Sequence, residues 1–218
     1  MLVGFLSDAH GNINAFSQAL ELLKKYHVEK IFFLGDAVGY FDSPDIVNMI
    51  HQHKIIAVRG NHEQMLIDNQ IPDNKEKYYR LKQHLNTSII PTIKTWPTQL
   101  EFQLINKKIQ IQHGSLNDPI YGYTYTDSDI TPPKGIDLLV FGATHRPFTK
   151  QIDDTLVVNV GSCGFPRDQG HLGSFGIYDA LSNSFTIERF DIRASLQHIA
   201  QTHQDLEQEI TAVWKRNH

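Results

Sequence analysis

The sequence has almost no cysteine, no excess of basic residues and no long apolar run. Its single cysteine, Cys163, excludes an intrachain disulfide and a zinc site built from several thiolates, and it indicates a reducing, cytoplasmic environment. The net charge of -4 argues against a nucleic-acid coat protein and a polybasic membrane binder. No run approaches the roughly 18 apolar residues of a membrane span, and the first run ends before Asp8, too early for a signal peptide. We therefore expect no membrane partner and no stable nucleic-acid partner.

What the chain does have is the composition of a globular protein. Its 218 residues are 40% hydrophobic and 20% charged, which is enough apolar material for a sizeable core. At about 150 residues per domain, this length predicts one domain with an appendage. We find no internal repeat and no low-complexity linker. We therefore predict a single α/β domain over residues 1–192 and a C-terminal helical extension over residues 193–218.

Five short apolar runs predict buried strands, with helices between the early ones. The runs are residues 2–6, 31–34, 55–58, 109–112 and 138–141. Asn12 is a candidate cap for a first helix, and Ser43 with Pro44 is a candidate cap and first position for a second. This alternation predicts a parallel sheet with right-handed crossovers. Later runs with tight polar connections favour a more antiparallel second half, over residues 100–105, 108–112, 147–152, 156–160, 174–179 and 184–190.

Two further segments carry the apolar spacing of helices. Residues 62–90 predict a helical side flap with one apolar stripe, formed by Tyr78, Leu81, Leu85 and Ile89. The C-terminal segment has a spacing close to heptads, at Leu196, Ile199, His203, Leu206, Ile210 and Val213. We favour packing of this helix against its own chain, and a homo-oligomer formed through it is the open alternative.

Each of the five runs is followed by residue types that bind metal ions. In chain order these are Asp8 and His10, then Gly35-Asp36, Gly60-Asn61-His62, His113, and Thr144-His145. In open α/β sheets, ligands bind beyond the carboxyl ends of the strands. We therefore place the functional site at that edge of the predicted sheet.

The residue types indicate a metal site and not a nucleophilic triad. Imidazole, carboxylate and amide oxygen without thiolate suit divalent Mn, Fe, Zn or Ni. Asp8 and His10 are two residues apart, so both side chains can point toward one ion. A carboxylate such as Asp36 can bridge two cations about 3.5–4 Å apart, the spacing used for displacement at phosphorus. Two divalent metals would therefore suit phosphate chemistry.

In their order along the chain, these motifs resemble those of the calcineurin-like metallophosphoesterases, in particular the small bacterial phosphodiesterase-like members. The likeness extends over residues 1 to about 190, through Asp8-Ala-His-Gly-Asn12, Gly35-Asp36, Gly60-Asn61-His62, His113-Gly114, Gly142-Ala-Thr-His145, Asn159-Val-Gly-Ser162 and Pro166-Arg-Asp168. The resemblance implies a four-layer α/β/β/α sandwich with a dinuclear site. It also implies a metal-dependent phosphodiesterase that acts on a small or nucleotide-like phosphate ester.

The resemblance assigns a role to each matching residue. The metal ligands would be Asp8, His10 and His145 for the first ion, Asn61 and His113 for the second, and Asp36 as the bridge. His62 would not be a ligand. It would donate a proton to the leaving-group oxygen, while a metal-bridging hydroxide attacks phosphorus from the opposite side.

Two positions depart from the family pattern. The family usually has Gly-His-x-His where this chain has Gly142-Ala143-Thr144-His145, so the second metal loses an imidazole ligand. We predict weaker, exchangeable occupancy of the second site beside an intact first site. Glu63 follows His62 where aspartate is usual, and we expect its longer side chain to orient His62 differently.

Residues that face a substrate are harder to assign from sequence. Arg146 and Arg167 are candidates for pairing with a phosphate oxygen, and a structural or surface salt bridge is the alternative for each. Candidates for stacking on a base or aromatic ester are Tyr40, Phe41, Tyr121, Tyr123 and Phe165. Two other functions stay open: a metal-binding scaffold with weakened catalysis, which Ala143 favours, and a phosphomonoesterase. The acidic balance disfavours a nuclease.

Overall fold

Two five-stranded sheets form the centre of the protein, which we describe from a computed structural model over residues 1–41, 43–72, 81–82, 88–203 and 207–216. The strands are β1 (Leu2–Leu6), β2 (Lys30–Phe33), β3 (Ile56–Ala57), β4 (Gln99–Leu104), β5 (Lys107–Gln112), β6 (Leu138–Phe141), β7 (Phe148–Ile152), β8 (Thr155–Asn159), β9 (Leu172–Asp179) and β10 (Ser184–Asp191). The helices are α1 (Ile13–Lys25), α2 (Asp45–Gln52), α3 (Asn61–Asp68), α4 (Ile89–Lys94), α5 (Arg193–Thr202) and α6 (Glu207–Trp214). Over the described ranges, every helix is too short or too polar to span a bilayer.

The pairing of the strands confirms the predicted parallel start and the more antiparallel second half, in which β4, β7, β9 and β10 all pair antiparallel with their neighbours. The first sheet has the order β10-β9-β1-β2-β3, and β1, β2 and β3 are parallel. The second has the order β4-β5-β6-β8-β7, in which β5, β6 and β8 are parallel and only the edge pairs are antiparallel. The β9–β10 hairpin joins the first sheet beside β1. Apolar runs reveal strands but not their partners, so the sequence does not show this division into two mixed sheets.

Apolar side chains fill the space between the two sheets. Phe5 and Phe32 stack with ring centroids 5.3 Å apart, and Phe32 stacks on Phe102 of β4 at 4.5 Å. Ile111 and Val158 reach the same cluster from the second sheet. Burial of this aromatic and aliphatic surface is the main force that holds the sheets face to face.

The helices cover the outer face of the first sheet. Phe16 of α1 and Ile46 of α2 are buried in the core beneath them. Asn12 caps α1 as predicted, because its side-chain oxygen accepts a hydrogen bond from the backbone N–H of Ala15 at 3.2 Å. Helix α2 begins after Pro44, one residue later than predicted.

The outer face of the second sheet is covered by turns. Residues 114–137 connect β5 to β6 without a helix, and Leu116, Ile130 and Ile136 from this segment pack near Leu139 and Phe141 of β6. The predicted α/β fold with two stacked sheets is therefore confirmed, whereas the second helical layer of the predicted α/β/β/α sandwich is a layer of turns in this segment. This outer layer is irregular because its apolar residues lie in a long crossover with turn chemistry.

The described part of the predicted side flap packs into the body. Leu81 and Ile89 are buried in the core on the helical side of the first sheet. Tyr78 and Leu85 fall outside the described residues.

The C-terminal segment forms two helices where the spacing close to heptads predicts one. Helix α5 ends at Thr202, and His203 stands at its C-terminal cap, because the backbone turns away from helical geometry there. Leu206 lies outside the described residues. The other apolar positions of the stripe are buried in the core of their own chain: Leu196, Ile199, Ile210 and Val213. A homo-oligomer formed through this segment stays a prediction.

Candidate metal centre

The loops that follow β1, β2, β3, β5 and β6 meet at one edge of the two sheets. Backbone hydrogen bonds tie neighbouring loops together: the Asp8 N–H donates to the carbonyl of Gly35 at 3.0 Å, and the Gly142 N–H donates to that of His113 at 3.0 Å. The polar side chains that meet there are almost fully buried, namely Asp8, His10, Asp36, His62, His113 and His145. The structure therefore brings together the residues that the sequence placed at this edge.

Several residues of these loops have left-handed backbone conformations, which are uncommon outside glycine. The angle φ is 55° at Asp8, 49° at His10, 58° at Asp36, 63° at Ala143 and 59° at His145. Such conformations cost free energy and cluster at functional sites, where the surrounding structure enforces them. Here each one turns the chain sharply just after a strand.

Asp8, His10 and His145 form the first group of potential ligand atoms. His10 Nε2 lies 3.0 Å from His145 Nε2. Asp8 Oδ1 lies 3.1 Å from His145 Nε2 and 3.6 Å from His10 Nε2. A triangle of two imidazole nitrogens and one carboxylate oxygen at this spacing can hold a divalent cation.

Asp36 and His113 form a second group, which also includes Asp8. His113 Nε2 lies 3.5 Å from Asp36 Oδ2 and 3.2 Å from Asn61 Oδ1. Asp36 Oδ2 also lies 3.7 Å from His10 Nε2 of the first group. Asp36 therefore stands between the two groups, in the position that a bridging carboxylate requires.

Backbone carbonyls orient two of the imidazoles. His145 Nδ1 donates to the carbonyl of Phe165 at 2.5 Å, and His113 Nδ1 donates to the carbonyl of Leu34 at 2.6 Å. A carbonyl only accepts hydrogen bonds, so Nδ1 carries the proton in both rings and the lone pair of Nε2 faces the centre. Metal-binding histidines commonly have such outer partners.

The hydrogen bonds of the Asp8 carboxylate show whether a cation would fit at this centre. Its Oδ2 accepts hydrogen bonds from Ser7 Oγ at 2.5 Å and from the Ala143 N–H at 3.1 Å. Its Oδ1 is buried and accepts no well-formed hydrogen bond from the described residues. A buried carboxylate oxygen without a donor is costly, and a cation would satisfy it. The residues present therefore fit a divalent metal ion.

The charges at the centre divide the imidazoles into two kinds. Burial lowers the pKa of His10 to about 3, and burial also lowers the pKa values of His62 and His145. Burial acts in the same direction on His113, but the nearby carboxylates, chiefly those of Asp36 and Asp8, and the hydrogen bond to the carbonyl of Leu34 together outweigh it and raise the pKa of that ring. Imidazole must be neutral to bind a metal, so His10 and His145 are ready to do so at neutral pH.

His62 lies beside Asp36 at the wall of the centre. Its Nε2 is 3.9 Å from Asp36 Oδ2, and its ring centroid is 4.7 Å from that of His10. Gly39 makes room for both rings, because a Cβ there would lie 2.3 Å from His62 Nδ1 and 2.7 Å from His10 Nδ1. His62 joins His10 and Asp36 in a third group of potential ligand atoms. Its position therefore suits a ligand as well as a proton donor.

Glu63 has a role that the sequence did not reveal. Its buried carboxylate accepts hydrogen bonds from the N–H groups of Asp36, Ala37 and Gly60, each at 2.8 Å. These bonds fasten the loop after β2 to the start of α3, so they fix the backbone on either side of Asp36 and Asn61. The spacing of three residues between Gly60 and Glu63 is typical of a capping box and is the available sequence signal.

The substrate candidates divide into buried and exposed groups. Arg167 is half-buried, its Nη2 donates to Tyr40 Oη at 3.2 Å, and its N–H donates to the carbonyl of His145 at 3.1 Å. Arg146 is exposed. The aromatic candidates Tyr40, Phe41 and Phe165 are buried, whereas Tyr121 and Tyr123 are 45% and 50% exposed. Of the five aromatic residues, these two tyrosines can stack on a ligand without rearrangement.

Three comparisons relate the chain to known proteins. A sequence profile for the calcineurin-like phosphoesterase superfamily domain matches residues 1–183. The chain is 26% identical over 222 residues to the uncharacterised protein MJ0912 of Methanocaldococcus jannaschii, with 91% of each chain covered. It is 25% identical over 190 residues to phosphodiesterase YfcE of Escherichia coli, with 82% of this chain and 88% of that chain covered. A metallophosphoesterase from Sphaerobacter thermophilus shares the fold, with a TM-score of 0.77, 21% identity and 98% of both chains covered.

Proposed function

This chain belongs to the calcineurin-like phosphoesterase superfamily, and on that premise we propose that it is a phosphodiesterase that uses two divalent metal ions. Its substrate in this proposal is a small or nucleotide-like phosphate ester. The observation that carries the proposal is that three groups of potential ligand atoms share members: Asp36 belongs to two of them, one of which contains His62, and the third shares Asp8 and His10 with these two. The name of the relative YfcE, a phosphodiesterase, supports a diester over a monoester.

Two divalent ions of Mn, Fe, Zn or Ni would find nitrogen and oxygen ligands here. Asp8, His10 and His145 would hold one ion, and Asn61 with His113 would hold the other across the carboxylate of Asp36. When bound, such ions supply positive charge for the phosphoryl oxygens and lower the pKa of bound water. Buried side chains around them exclude bulk water, which strengthens each electrostatic contact.

His62 is the general acid in this proposal. Its ring lies within 3.9 Å of Asp36 and thus close to an ester held at the ions. Burial lowers the pKa of His62, and the negative charge of a bound phosphate ester would act in the opposite direction. A protonated His62 would then donate its proton to the leaving-group oxygen.

A second function is supported by a specific observation. The side chain of Ala143 has no atom that can bind a metal ion. Its backbone N–H donates a hydrogen bond to Asp8 Oδ2 at 3.1 Å. A fold that keeps its metals as structural elements, with weakened catalysis, would tolerate this loss. The alternative of a phosphomonoesterase differs from the proposed phosphodiesterase only in its substrate. The assay described next distinguishes the two.

The test is hydrolysis of bis-p-nitrophenyl phosphate and p-nitrophenyl phosphate by the manganese-loaded protein. We expect the diester to be preferred, and we expect His62→Ala to lower its kcat by about 10²–10⁴-fold without loss of bound metal. His198→Ala, which removes an exposed imidazole on α5, is the matched control and should keep full activity. Preference for the monoester would select a phosphatase, and absence of turnover with every metal would select the scaffold.

The cytoplasm is the compartment in this proposal. Cys163 is free and buried, and burial raises the pKa of its thiol, so the thiol stays protonated and inert. A single reduced cysteine of this kind is compatible with a reducing compartment.

A further inference from the structure

Three arginines lie at the rim of the metal centre, and one of them comes from the C-terminal end of the described chain. Arg146 and Arg167 follow metal-site motifs and are visible in the sequence. Arg216 lies beyond residues 1–183, which the family profile matches. Its position at the centre is therefore a property of this chain that the family match does not assign.

The tail holds Arg216 in place through close contacts with the loop after β8. The Gly170 N–H donates to the carbonyl of Arg216 at 3.0 Å, and Arg216 Nη1 donates to the carbonyl of Pro166 at 2.7 Å. A Cβ at Gly170 would lie 1.6 Å from the carbonyl oxygen of Val213, so only glycine permits this approach. The position of the Arg216 guanidinium is therefore fixed by the close packing of the tail backbone on this loop.

The ring of Phe165 connects Arg216 to the metal ligands. The guanidinium carbon of Arg216 lies 4.9 Å from the centroid of Phe165. The same ring has centroid distances of 5.9 Å to His145 and 6.0 Å to His10. Arg216 thus stands one aromatic ring away from the first group of ligand atoms.

Arg167 and Arg146 reach the same rim from their own loops. Arg167 contacts Tyr40, whose ring centroid is 4.5 Å from that of His10. Arg146 follows His145 directly in the chain. Arg167 and Arg216 are therefore anchored next to residues that touch the first group of ligand atoms, and the exposed Arg146 follows one of its ligands in the chain.

No carboxylate of the described residues forms an ion pair with these three arginines. Asp168, the nearest acid in sequence to Arg167, is bound by Arg189 at 2.6 and 3.1 Å. Burial lowers the pKa of Arg216, and the positive charges of Arg167 and Arg146 add to this effect. Guanidinium stays protonated in proteins, so the chain keeps three mutually repelling cations together beside the centre.

We propose that Arg146, Arg167 and Arg216 bind a second phosphoryl group of the substrate, next to the phosphoryl group that is held at the metal ions. The inference rests on the proposed function for the position of the first group. It narrows the substrate class to compounds that carry at least two phosphates. Arginine suits this task because its planar fork pairs with phosphate oxygens through two hydrogen bonds.

The test compares ligands that differ by one phosphate, measured as binding by calorimetry. Manganese-loaded His62→Ala protein is used as the background, so that turnover does not consume the ligand. The pairs are adenosine 3′,5′-bisphosphate against adenosine 5′-monophosphate, and fructose 1,6-bisphosphate against fructose 6-phosphate. We expect the bisphosphate to bind at least about 10-fold more tightly in one pair or in both, the range of charged hydrogen bonds. A preference confined to the adenosine pair identifies a nucleotide as the source of the second phosphate.

Variants of the tail decide whether Arg216 is responsible. Arg216→Ala should remove most of the preference for the bisphosphate, whereas Arg216→Lys should keep part of it because the charge remains. Lys215→Ala removes a neighbouring exposed charge and should keep the preference in full. Equal affinities within both pairs, or an unchanged preference in Arg216→Ala, would overturn the inference.

The binding readout separates this inference from the proposed function. A protein that prefers bisphosphates through Arg216 but hydrolyses no diester would refute the phosphodiesterase and leave the subsite standing. A protein that hydrolyses diesters but shows no preference for the second phosphate would refute the subsite alone.

Discussion

The two halves of the metal centre come from the same edge of the fold but differ in their ligands. The first half has two imidazoles and a carboxylate whose atoms lie 3.0 to 3.6 Å apart. The second half has one imidazole, that of His113, with the amide of Asn61 and the carboxylate of Asp36, and the side chain of Ala143 in the neighbouring loop offers no atom that could bind a metal. The fold therefore fixes where the candidate ligands lie, and we expect single residues to decide how strongly each half binds a metal ion.

The two carboxylates also differ in their electrostatic surroundings. Burial acts to raise the pKa of Asp8, but His145, His10 and His113 together outweigh it and hold that pKa well below its usual range. Burial raises the pKa of Asp36, and the charges of Glu63 and Asp8 add to this effect against that of His113. We therefore expect the first half to bind a cation largely through its own residues, and the second half to depend on the loop that Glu63 holds.

Replacing Glu63 tests how far the second half depends on that loop. In the wild type, backbone N–H groups donate hydrogen bonds to the carboxylate of Glu63. In Glu63→Gln, some of these N–H groups would face the NH₂ group of an amide, which cannot accept a hydrogen bond. We expect a loss of about 2 kcal/mol in the free energy of unfolding, which lowers Tm by about 4–8 °C for a chain of this size. Affinity for the second metal should fall by about 10–100-fold while the first is unchanged. Thermal unfolding and metal titration measure both effects.

Glu63→Asp is the matched control, because it keeps the charge on a shorter side chain. It should lose less stability than Glu63→Gln. Equal weakening of both metal sites in Glu63→Gln would show that the halves are coupled through this loop, against the account given above.

Replacing Asp137 gives a variant that touches neither half. Asp137 lies just before β6, at the opposite end of that strand from the candidate ligands. Its Oδ2 accepts a hydrogen bond from the Lys108 N–H at 2.9 Å, and its Oδ1 pairs with Lys107 Nζ at 3.0 Å. Burial acts upward on the pKa of Asp137, but these two contacts outweigh it and lower that pKa below its ordinary value of 3.8. We expect Asp137→Asn to cost about 1 kcal/mol at pH 7 and to leave both metal affinities unchanged.

The sign of the pH dependence follows from the lowered pKa. A carboxyl group whose pKa is lower in the folded protein contributes stability above its unfolded pKa and loses it as the pH falls through the folded value. The difference between the wild type and Asp137→Asn should therefore be constant above pH 3.8 and shrink below it. Urea unfolding at pH 7 and at pH 3 measures the difference, and a constant value at both would contradict the assignment.

Local sequence features predicted much of the site and less of the architecture. Asp8, Asp36 and His113 could be found because polar residues follow abruptly after buried apolar runs, and strand ends converge in an α/β fold. The pairing of β9 with β1 could not be found, because the apolar pattern of a strand does not name its partner. Arg216 was missed for a similar reason: its contact with Phe165 joins residues 51 positions apart through the docking of α6.

The end of α5 before α6 is a second feature that the apolar pattern of the sequence did not predict. The apolar spacing at Leu196, Ile199 and Ile210 is compatible with one helix, and each of these side chains is buried as that pattern requires. The backbone nevertheless leaves helical geometry at His203. Periodicity therefore identified the buried positions but not the course of the chain between them.

Calorimetric titration of manganese into the metal-free protein tests the inequality of the two halves most directly. We predict one tight site and a second site at least about 10-fold weaker, because an outer or lost ligand changes metal affinity by about 10–100-fold. Ala143→His should tighten the second site and leave the first unchanged. Two equally tight sites in the unmodified protein, with no effect of the added histidine, would contradict the account.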